Sequence, residues 1–313
     1  MKLPVQGTPL DIIKGSVITL ALFLTYLTLP VFGMLPGLLA PTAGIYYFLK
    51  SGRAAGYAIV VISMAVLAAY DPASAAIYML QCGIMTMSLA EFLSRNKGGS
   101  RSIVYGMAIN LAVMLVAAAV YSLATGNNIH LQVIKGINSS ISQTAALYGK
   151  AGVGADELKT LQQSMEQAGV FITRTYPALI TVSLGFIAGI NLLLLRRLST
   201  RFSLPVLLGD FKRFKNPDQL VWVLIFAGFA MLVESKTVSL PALNLLIVIA
   251  SAYFIQGMAV MAHSFERFAV PFFVRLIFYL LLSLQPFLTV VVAALGVFDL
   301  WGDFRTPKNK ENL

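Results

Sequence analysis

Long apolar runs, separated by short loops that hold most of the positive charge, constrain the fold of this chain more than any other feature. Of its 313 residues, 58% are hydrophobic and only 12% are charged, whereas a soluble domain has about a quarter of its residues charged. Too few charges remain to cover a water-facing surface. The sequence therefore predicts an all-α polytopic integral membrane protein, with eight or nine transmembrane helices and an outer amphipathic helical hairpin.

The most basic loop, Arg196–Gln219, orients the chain in the membrane. Short loops rich in Lys and Arg stay on the cytoplasmic side of a bilayer. Lys2 and Lys14 place the N-terminus on the same side, so we expect it to be cytoplasmic. The loop holds two acidic residues and six basic ones, which are Arg196, Arg197, Arg201, Lys212, Arg213 and Lys215.

The formal net charge of +10 does not indicate a nucleic-acid partner. The basic residues cluster at the ends of apolar segments and not on a polar face, so their expected partners are the anionic headgroups of the lipid bilayer. Cys82 is the single cysteine. One cysteine excludes a disulfide or a multi-cysteine metal site within one chain.

The first 195 residues are expected to form a six-span N-terminal membrane unit. The loops that this threading places inside are basic, and the two outer loops before residue 126 contain no Lys or Arg. The second span has only about half of the ~20 residues that a helix needs to cross a bilayer. The expected spans cover residues 16–34, 38–49, 54–69, 73–93, 103–124 and 176–195.

A polar insert at 126–174 separates the fifth and sixth spans. Apolar residues recur in it at three- and four-residue steps, which predicts two amphipathic helices joined by the glycine-rich linker Gly149–Gly154. On the predicted threading this hairpin lies outside. It is either a passive pair of interfacial helices or a cover for a cavity.

After the basic loop 196–219, we expect C-terminal membrane spans over 220–300 and a polar tail over 301–313. The last apolar run, 268–300, has two interpretations. One tilted helix has sufficient length, whereas a fold at Gln285–Pro286 leaves two limbs of roughly 21 Å against a hydrocarbon core of about 30 Å. The fold keeps the basic tail inside, but the length argument favours a single helix.

Polar side chains inside spans are costly and therefore mark candidate sites. Gln81 and Asn110 fall near the middle of neighbouring spans, where they either line a polar cavity for a substrate or hold two helices together by hydrogen bonds. Arg174 and Tyr176, at the outer end of the sixth span, either bind an anionic or planar solute or anchor the helix at the interface. The same two interpretations, a cavity lining or a hydrogen bond between helices, apply to Asn191, Asn244, Gln256 and Gln285.

Three ionisable residues lie in or beside spans. Arg275 is about eight residues past the nearest inner loop and either extends to the headgroups or pairs with an acid, Glu266 or Glu91. Glu91 also stands four residues before Arg95, a spacing that predicts an ordinary helix ion pair. In the basic loop, four exposed cations could bind a protein partner, namely Arg196, Arg197, Lys212 and Arg213.

No catalytic set is visible in the sequence. The segment after Tyr148 lacks the spacing of a phosphate-binding loop, and there is no nucleophile elbow. His263 and Glu266 share a helix face but supply too few ligands for a metal. We therefore predict no metal site, no cofactor and no catalytic residue, and we do not expect an enzyme.

The segment Gly296–Arg305, which reads GVFDLWGDFR, together with Gln256-Gly257 in the preceding span, resembles the end of the YybS-like family of bacterial multi-pass membrane proteins, labelled as a domain of unknown function. The resemblance implies a bacterial inner-membrane protein and transfers no catalytic residue. More weakly, the threading of the first six spans is similar to that of the substrate-binding subunits of energy-coupling-factor transporters. This second similarity rests on topology, and its fifth loop is much longer here.

These features favour solute binding or transport through a cavity in the first six spans, covered by the outer hairpin. The partner would be a small-molecule solute. The alternative is a membrane scaffold or regulatory protein that docks a cytosolic or membrane protein through its basic inner loop. A polar cavity at Gln81 and Asn110 would distinguish the first hypothesis from the second.

Overall fold

The structure is a computed structural model that describes residues 8–29, 32–151, 154–202 and 208–305. Lys2, residues 152–153 of the linker, 203–207 of the basic loop and 306–313 of the tail lie outside the described residues. The described part is all-helical. Its helices are α1 (Pro9–Thr28), α2 (Met34–Leu38), α3 (Ala40–Ser51), α4 (Arg53–Tyr70), α5 (Pro72–Tyr78), α6 (Ile84–Ser94), α7 (Gly99–Thr125), α8 (Ile129–Lys150), α9 (Ala155–Phe202), α10 (Leu220–Met231), α11 (Lys236–Arg267), α12 (Phe272–Leu284) and α13 (Pro286–Gly302).

Six of these helical segments are long and apolar enough to cross a membrane, or seven if α12 and α13 together make one span. This count refers to the described residues. The expected number of eight or nine spans is not confirmed, because α3 and α10 have only twelve residues each, or about 18 Å of helix. The composition and the six long apolar helices nevertheless identify the chain as a multi-pass membrane protein.

The junction between α4 and α5 shows how the sequence sets helix boundaries. The carboxylate of Asp71 accepts hydrogen bonds from the backbone N–H of Ala73 and Ser74 and from the Ser74 hydroxyl. Asp followed by Pro is a strong signal for a helix start. The hydrogen bond from the Ser74 side chain is the main reason that the pKa of Asp71 lies below its ordinary value.

The chain divides into two compact units. Unit 1 comprises residues 1–129 and 183–209, and unit 2 comprises residues 130–182 and 210–313. The boundaries predicted at 195, 219 and 300 stay predictions.

Unit 1 is built around the short helix α3. Nine of its twelve residues are buried, and α3 packs against α1, α4 and α6. Gly52 alone connects α3 to α4, with φ of 99°, a conformation that glycine adopts without steric cost. The predicted short second span is thus present as a buried helix.

Unit 2 is held together by close packing of α11 on α13. A Cβ added to Gly257 would lie 1.9 Å from the carbonyl oxygen of Val292, and one added to Gly296 would lie 2.0 Å from that of Tyr253. The two glycines therefore let the backbones touch. The pairing of 257 with 292 and of 253 with 296 makes the two helices antiparallel.

The hairpin prediction needs one correction. Two helices are present, α8 and α9, but α9 continues without a break through the expected sixth span and has 48 residues. Pro177 lies inside it and removes a backbone hydrogen bond. Asn244 of α11 repairs the neighbouring turn, since its amide oxygen accepts from the N–H of Ala178 at 2.9 Å and its amide nitrogen donates to the carbonyl of Arg174 at 2.8 Å.

The single helix favoured for residues 268–300 is wrong. The run forms α12 and α13, which meet at an angle of 110°. Gln285 has an extended backbone, with φ of −114° and ψ of 99°. A residue before proline is biased away from helical geometry, so Pro286 ends α12 and begins α13. The prediction of one helix used only the length of the apolar run and did not consider the backbone restriction before proline.

The glycine contact between α11 and α13 leads to a stability prediction. We expect Gly296→Ala to lower the free energy of unfolding by about 1–3 kcal/mol or more, because the added methyl meets backbone that must move. The measurement is thermal unfolding of the purified protein followed by tryptophan fluorescence. Gly228→Ala in α10 is the matched control.

At Gly228 an added Cβ meets its nearest described neighbour, Leu246, at 4.0 Å. Alanine favours helix over glycine, so this variant should be neutral or more stable. Equal melting temperatures for the two variants would contradict the proposed contact.

Candidate functional site

Asn110 lies opposite a π-helical turn in the neighbouring helix. One turn before it, a Cβ added to Gly106 would lie 3.3 Å from the hydroxyl of Ser88 and 3.5 Å from the sulfur of Met85, both on α6. The short loop between α6 and α7 makes them antiparallel, so Asn110 faces the start of α6. There the chain forms a π-helical turn, Met79–Gly83.

The amide of Asn110 is buried without a partner in the described part of the chain. The residue is 0% exposed, and neither its amide oxygen nor its amide nitrogen has a hydrogen-bond partner there. An unpaired polar group away from water costs about 1–3 kcal/mol. In a membrane span, such a group is a candidate for binding.

Gln81 lies in the π-helical turn and is half-buried. The structure therefore places Gln81 and Asn110 on contacting elements, as the sequence predicted. It does not pair them, since the Asn110 amide makes no hydrogen bond to a described residue. Single π-helical turns inside α-helices occur frequently at functional sites.

Two hydroxyls of α1 in unit 1 are, like the Asn110 amide, buried without a described hydrogen-bond partner. Ser16 and Thr19 are buried, and their oxygens have no hydrogen-bond partner among the described residues. Thr25 and Thr28 on the same helix instead donate to the carbonyl four residues earlier, at 2.7 and 2.9 Å. The second pattern is the usual one for a hydroxyl in a helix.

Asn191 shows what a structural amide looks like in the same unit. It is 1% exposed, accepts from the Thr42 hydroxyl and donates to the carbonyls of Leu38 and Ile187, both at 2.7 Å. This fully paired amide holds the end of α2 to α9. Asn191 shows that a buried amide in this unit can find partners when its role is to hold helices together. Asn110 has none among the described residues, so helix packing does not explain it.

A surface depression of about 420 Å³ lies at the end of α7. Its lining begins two turns beyond Asn110 and continues into the start of α8. On the predicted threading this end faces outward. The lining residues are Ala118, Ala119, Ser122, Gly126, Asn127, Asn128 and Ile129.

Arg174 and Tyr176 belong to unit 2, whereas Gln81 and Asn110 belong to unit 1. The phenol oxygen of Tyr176 lies 3.2 Å from Nδ1 of His130, and the two rings stack with centroids 5.7 Å apart. His130 is 46 residues away in the sequence, and no local pattern indicated this contact. The carbonyl of Arg174 accepts from Asn244, as described above, while its side chain is exposed.

The three ionisable candidates have clear partners. Glu91 contacts Arg95 at 2.6 Å and also Arg53 at 2.9 Å. Glu266 pairs with Lys212. Arg275 pairs with neither candidate acid. Its guanidinium donates to the carbonyls of Val270 and Phe265, at 2.8 and 3.0 Å, and so closes the end of α11. Both acids are already engaged by other cations.

The basic-loop candidates differ in their surroundings. Arg196 and Arg197 are exposed near the end of α9 in unit 1. In unit 2, Lys212 is engaged by Glu266, while Arg213 is exposed. The predicted loop therefore does not present four equivalent cations.

Sequence reasoning missed a buried ionic network in unit 2. Asp299 of α13 accepts from the Gln256 amide at 2.9 Å and pairs with Arg305. The Gln256 oxygen accepts from the backbone N–H of Asn216, also at 2.9 Å. The motif residues quoted above for the family resemblance, 256 and 296–305, thus meet in space. The presence of both motifs in the family resemblance was the one sequence signal that could have indicated this network.

Comparison with a family model gives a match over residues 17–300, to the family described as "Predicted membrane protein (DUF2232)". No curated protein matches this chain. No solved structure matches it either, so the similarity to energy-coupling-factor subunits is not confirmed. The matched range covers the helices of both units, and the chain therefore belongs to this family of membrane proteins with a domain of unknown function, as the tail motif indicated.

Proposed function

We propose that unit 1 binds a small polar solute within the membrane, as a solute-binding or transport protein of the bacterial inner membrane with its N-terminus in the cytoplasm. The observation that carries this proposal is the buried, unpaired amide of Asn110 opposite the π-helical turn. The unpaired hydroxyls of Ser16 and Thr19 in the same unit support it.

The chemistry of the amide indicates the class of solute. Asn110 offers one acceptor and two donor positions, and hydroxyls offer both. A solute that carries a donor next to an acceptor would satisfy the amide of Asn110, whereas hydrocarbon or an apolar solute would not. The expected ligand is therefore small, polar and uncharged, because the described residues of the π-helical turn and of the α7 turns on either side of Asn110 include no Asp, Glu, Lys, Arg or His.

The route to the site would start at the depression at the end of α7. Ala118 is eight residues from Asn110, or about 12 Å along the helix. Gln81, half-buried in the π-helical turn, lies on the element that faces Asn110 and could move when the turn converts to regular helix. Transport requires such a movement, while binding alone does not.

Cysteine labelling tests whether Asn110 meets water. In a Cys82→Ser background, we expect Asn110→Cys and Gln81→Cys to react with a small charged methanethiosulfonate reagent applied to intact membranes. A thiol reacts as the thiolate, which needs a polar, hydrated environment. The measurement is the fraction of protein modified with time, by mass spectrometry.

Leu115→Cys is the matched control on the same helix. Leu115 is exposed on α7, and in a bilayer such an apolar surface faces lipid, where a charged reagent does not go. If Asn110→Cys is as unreactive as Leu115→Cys, the proposed route does not exist.

A stability comparison tests the premise that the amide is unpaired. We expect Asn110→Leu to raise the free energy of unfolding by about 1–3 kcal/mol, because it removes an unsatisfied buried group. We expect Asn191→Leu to lower it by a similar amount, since Thr42 and the Leu38 carbonyl lose their partner. Thermal unfolding in detergent without added solute measures both.

A residue retained for binding often costs stability, so a more stable Asn110→Leu variant supports a functional amide. Destabilisation by Asn110→Leu would mean that the amide has a structural partner, and would remove the main support for the site.

A second candidate function is docking of a cytosolic protein on the basic inner loop. The observation that favours it is that Arg213 is exposed on a segment whose backbone is held by hydrogen bonds at Asn216. Arg213→Gln should then weaken cross-linking to a partner while leaving membrane insertion intact. Unchanged cross-linking would count against docking.

A further inference from the structure

A segment of the basic loop is fastened along α11 in unit 2. We call this segment, Asp210–Gln219, the strap. The Asn216 side chain donates to the carbonyl of Ala252 at 2.9 Å, and its backbone N–H donates to Gln256. At the other end of the strap, Lys212 pairs with Glu266. The strap thus follows α11 over fourteen residues, or about 21 Å of helix.

Arg305 joins the strap to α13. Its guanidinium donates to the carbonyls of Lys212 and Phe214, at 3.1 and 2.7 Å, and pairs with the carboxylate of Asp299. Three oxygens from two separate segments therefore surround one planar cation. The Arg305 side chain is only 13% exposed, and that of Asp299 is 2% exposed.

The backbone brings Arg305 back to this site. α13 ends at Gly302, and Asp303 has φ of 36°, in the left-handed region, which reverses the direction of the chain. Arg305 can therefore reach an acid six residues earlier. A continued helix would carry it away from Asp299, because residues six apart lie on different faces.

The carboxylate requires a cation at this position. Asp299 has one oxygen with no hydrogen-bond partner among the described residues, and the other is shared by Gln256 and Arg305. A buried charge that loses its partner is strongly destabilising. The two strap carbonyls accept from Nη1 of Arg305 and the carboxylate accepts from Nη2. A guanidinium fork provides two such donor nitrogens, and an ammonium does not.

We propose that Asp299 and the carbonyls of Lys212 and Phe214 form a guanidinium-binding site that the chain fills with its own Arg305, and that this occupancy holds the strap on α11. When the guanidinium leaves, the strap loses its link to α13 and uncovers Asp299 and Gln256. The inference rests on unit 2 alone and does not depend on the solute site proposed for unit 1.

Limited proteolysis with trypsin reports on the strap, because it contains three cleavage positions, at Lys212, Arg213 and Lys215. In the purified full chain, we expect Arg305→Ala to raise the rate of cleavage there by about 10- to 100-fold, the range for loss of a charge-assisted hydrogen bond. Mass spectrometry assigns the cut positions. Cleavage at Lys97, which is exposed in the loop between α6 and α7 of unit 1, serves as the internal reference.

Chemical rescue tests the site itself. Millimolar methylguanidinium should return strap cleavage of Arg305→Ala towards the wild-type rate, and methylammonium at the same concentration should do so much less. The double variant Arg305→Ala/Asp299→Asn should show no rescue, since the carboxylate is gone. Arg267→Ala removes an exposed arginine whose described contact is the Phe268 ring, and should cleave like wild type.

Three outcomes would overturn the proposal. The first is wild-type cleavage in Arg305→Ala, and the second is equal protection by methylguanidinium and methylammonium. The third is protection of the double variant. If Arg305→Ala does not fold, Arg305→Lys keeps the charge but loses the fork, and its strap should be cleaved faster than in wild type; an unchanged rate overturns the proposal as well.

Discussion

The structure depends on one constraint, which is that polar groups inside a membrane protein must find partners within the chain. Lipid offers no hydrogen bonds, so an unpaired group there is more costly than at a water-facing surface. Asn191 and Asn244 meet this demand completely: one closes the end of α2, and the other repairs the helix around Pro177. In both cases a side-chain amide serves backbone groups that the helix itself cannot pair. Against this background an unpaired Asn110 is conspicuous.

Backbone contact sets the second constraint, and it connects the helix packing to the ionic network. Gly257 and Gly296 let α11 and α13 touch. The polar groups that meet lie close to these glycines in the sequence: Gln256 precedes Gly257, and Asp299 lies three residues after Gly296. Close approach brings the Gln256 amide and the Asp299 carboxylate within hydrogen-bonding distance. A wider helix pair would leave both groups facing hydrocarbon. The small residues therefore have an electrostatic consequence in addition to a steric one.

Much of the secondary structure follows from the sequence, because apolar length and helix-start signals are local. Asp71-Pro72 gives the start of α5, and the short second span appears as α3. The failures arise where two local signals compete. At Gln285–Pro286, apolar length favoured one helix and the restriction before proline ended it. At Pro177 the helix instead continues. The sixth span was expected to begin at residue 176, but Pro177 lies inside α9, because Asn244, 67 residues away, pairs the neighbouring backbone groups.

The candidate sites show the same limit more sharply. Gln81 and Asn110 could be placed on facing helices by counting residues from basic loops, but whether their amides are paired depends on rotamers and neighbours that counting does not give. Arg305 and the strap lay beyond sequence reasoning for a different reason. The loop's charge predicted exposed cations on the cytoplasmic side and did not indicate that part of the loop is held against α11. The buried carboxylate of Asp299 favours that arrangement, since leaving it unpartnered costs more than ordering a polar segment. The side of the membrane on which the loop lies stays a prediction from its charge, whereas the path of the strap depends on its contacts with Glu266, Gln256 and Arg305.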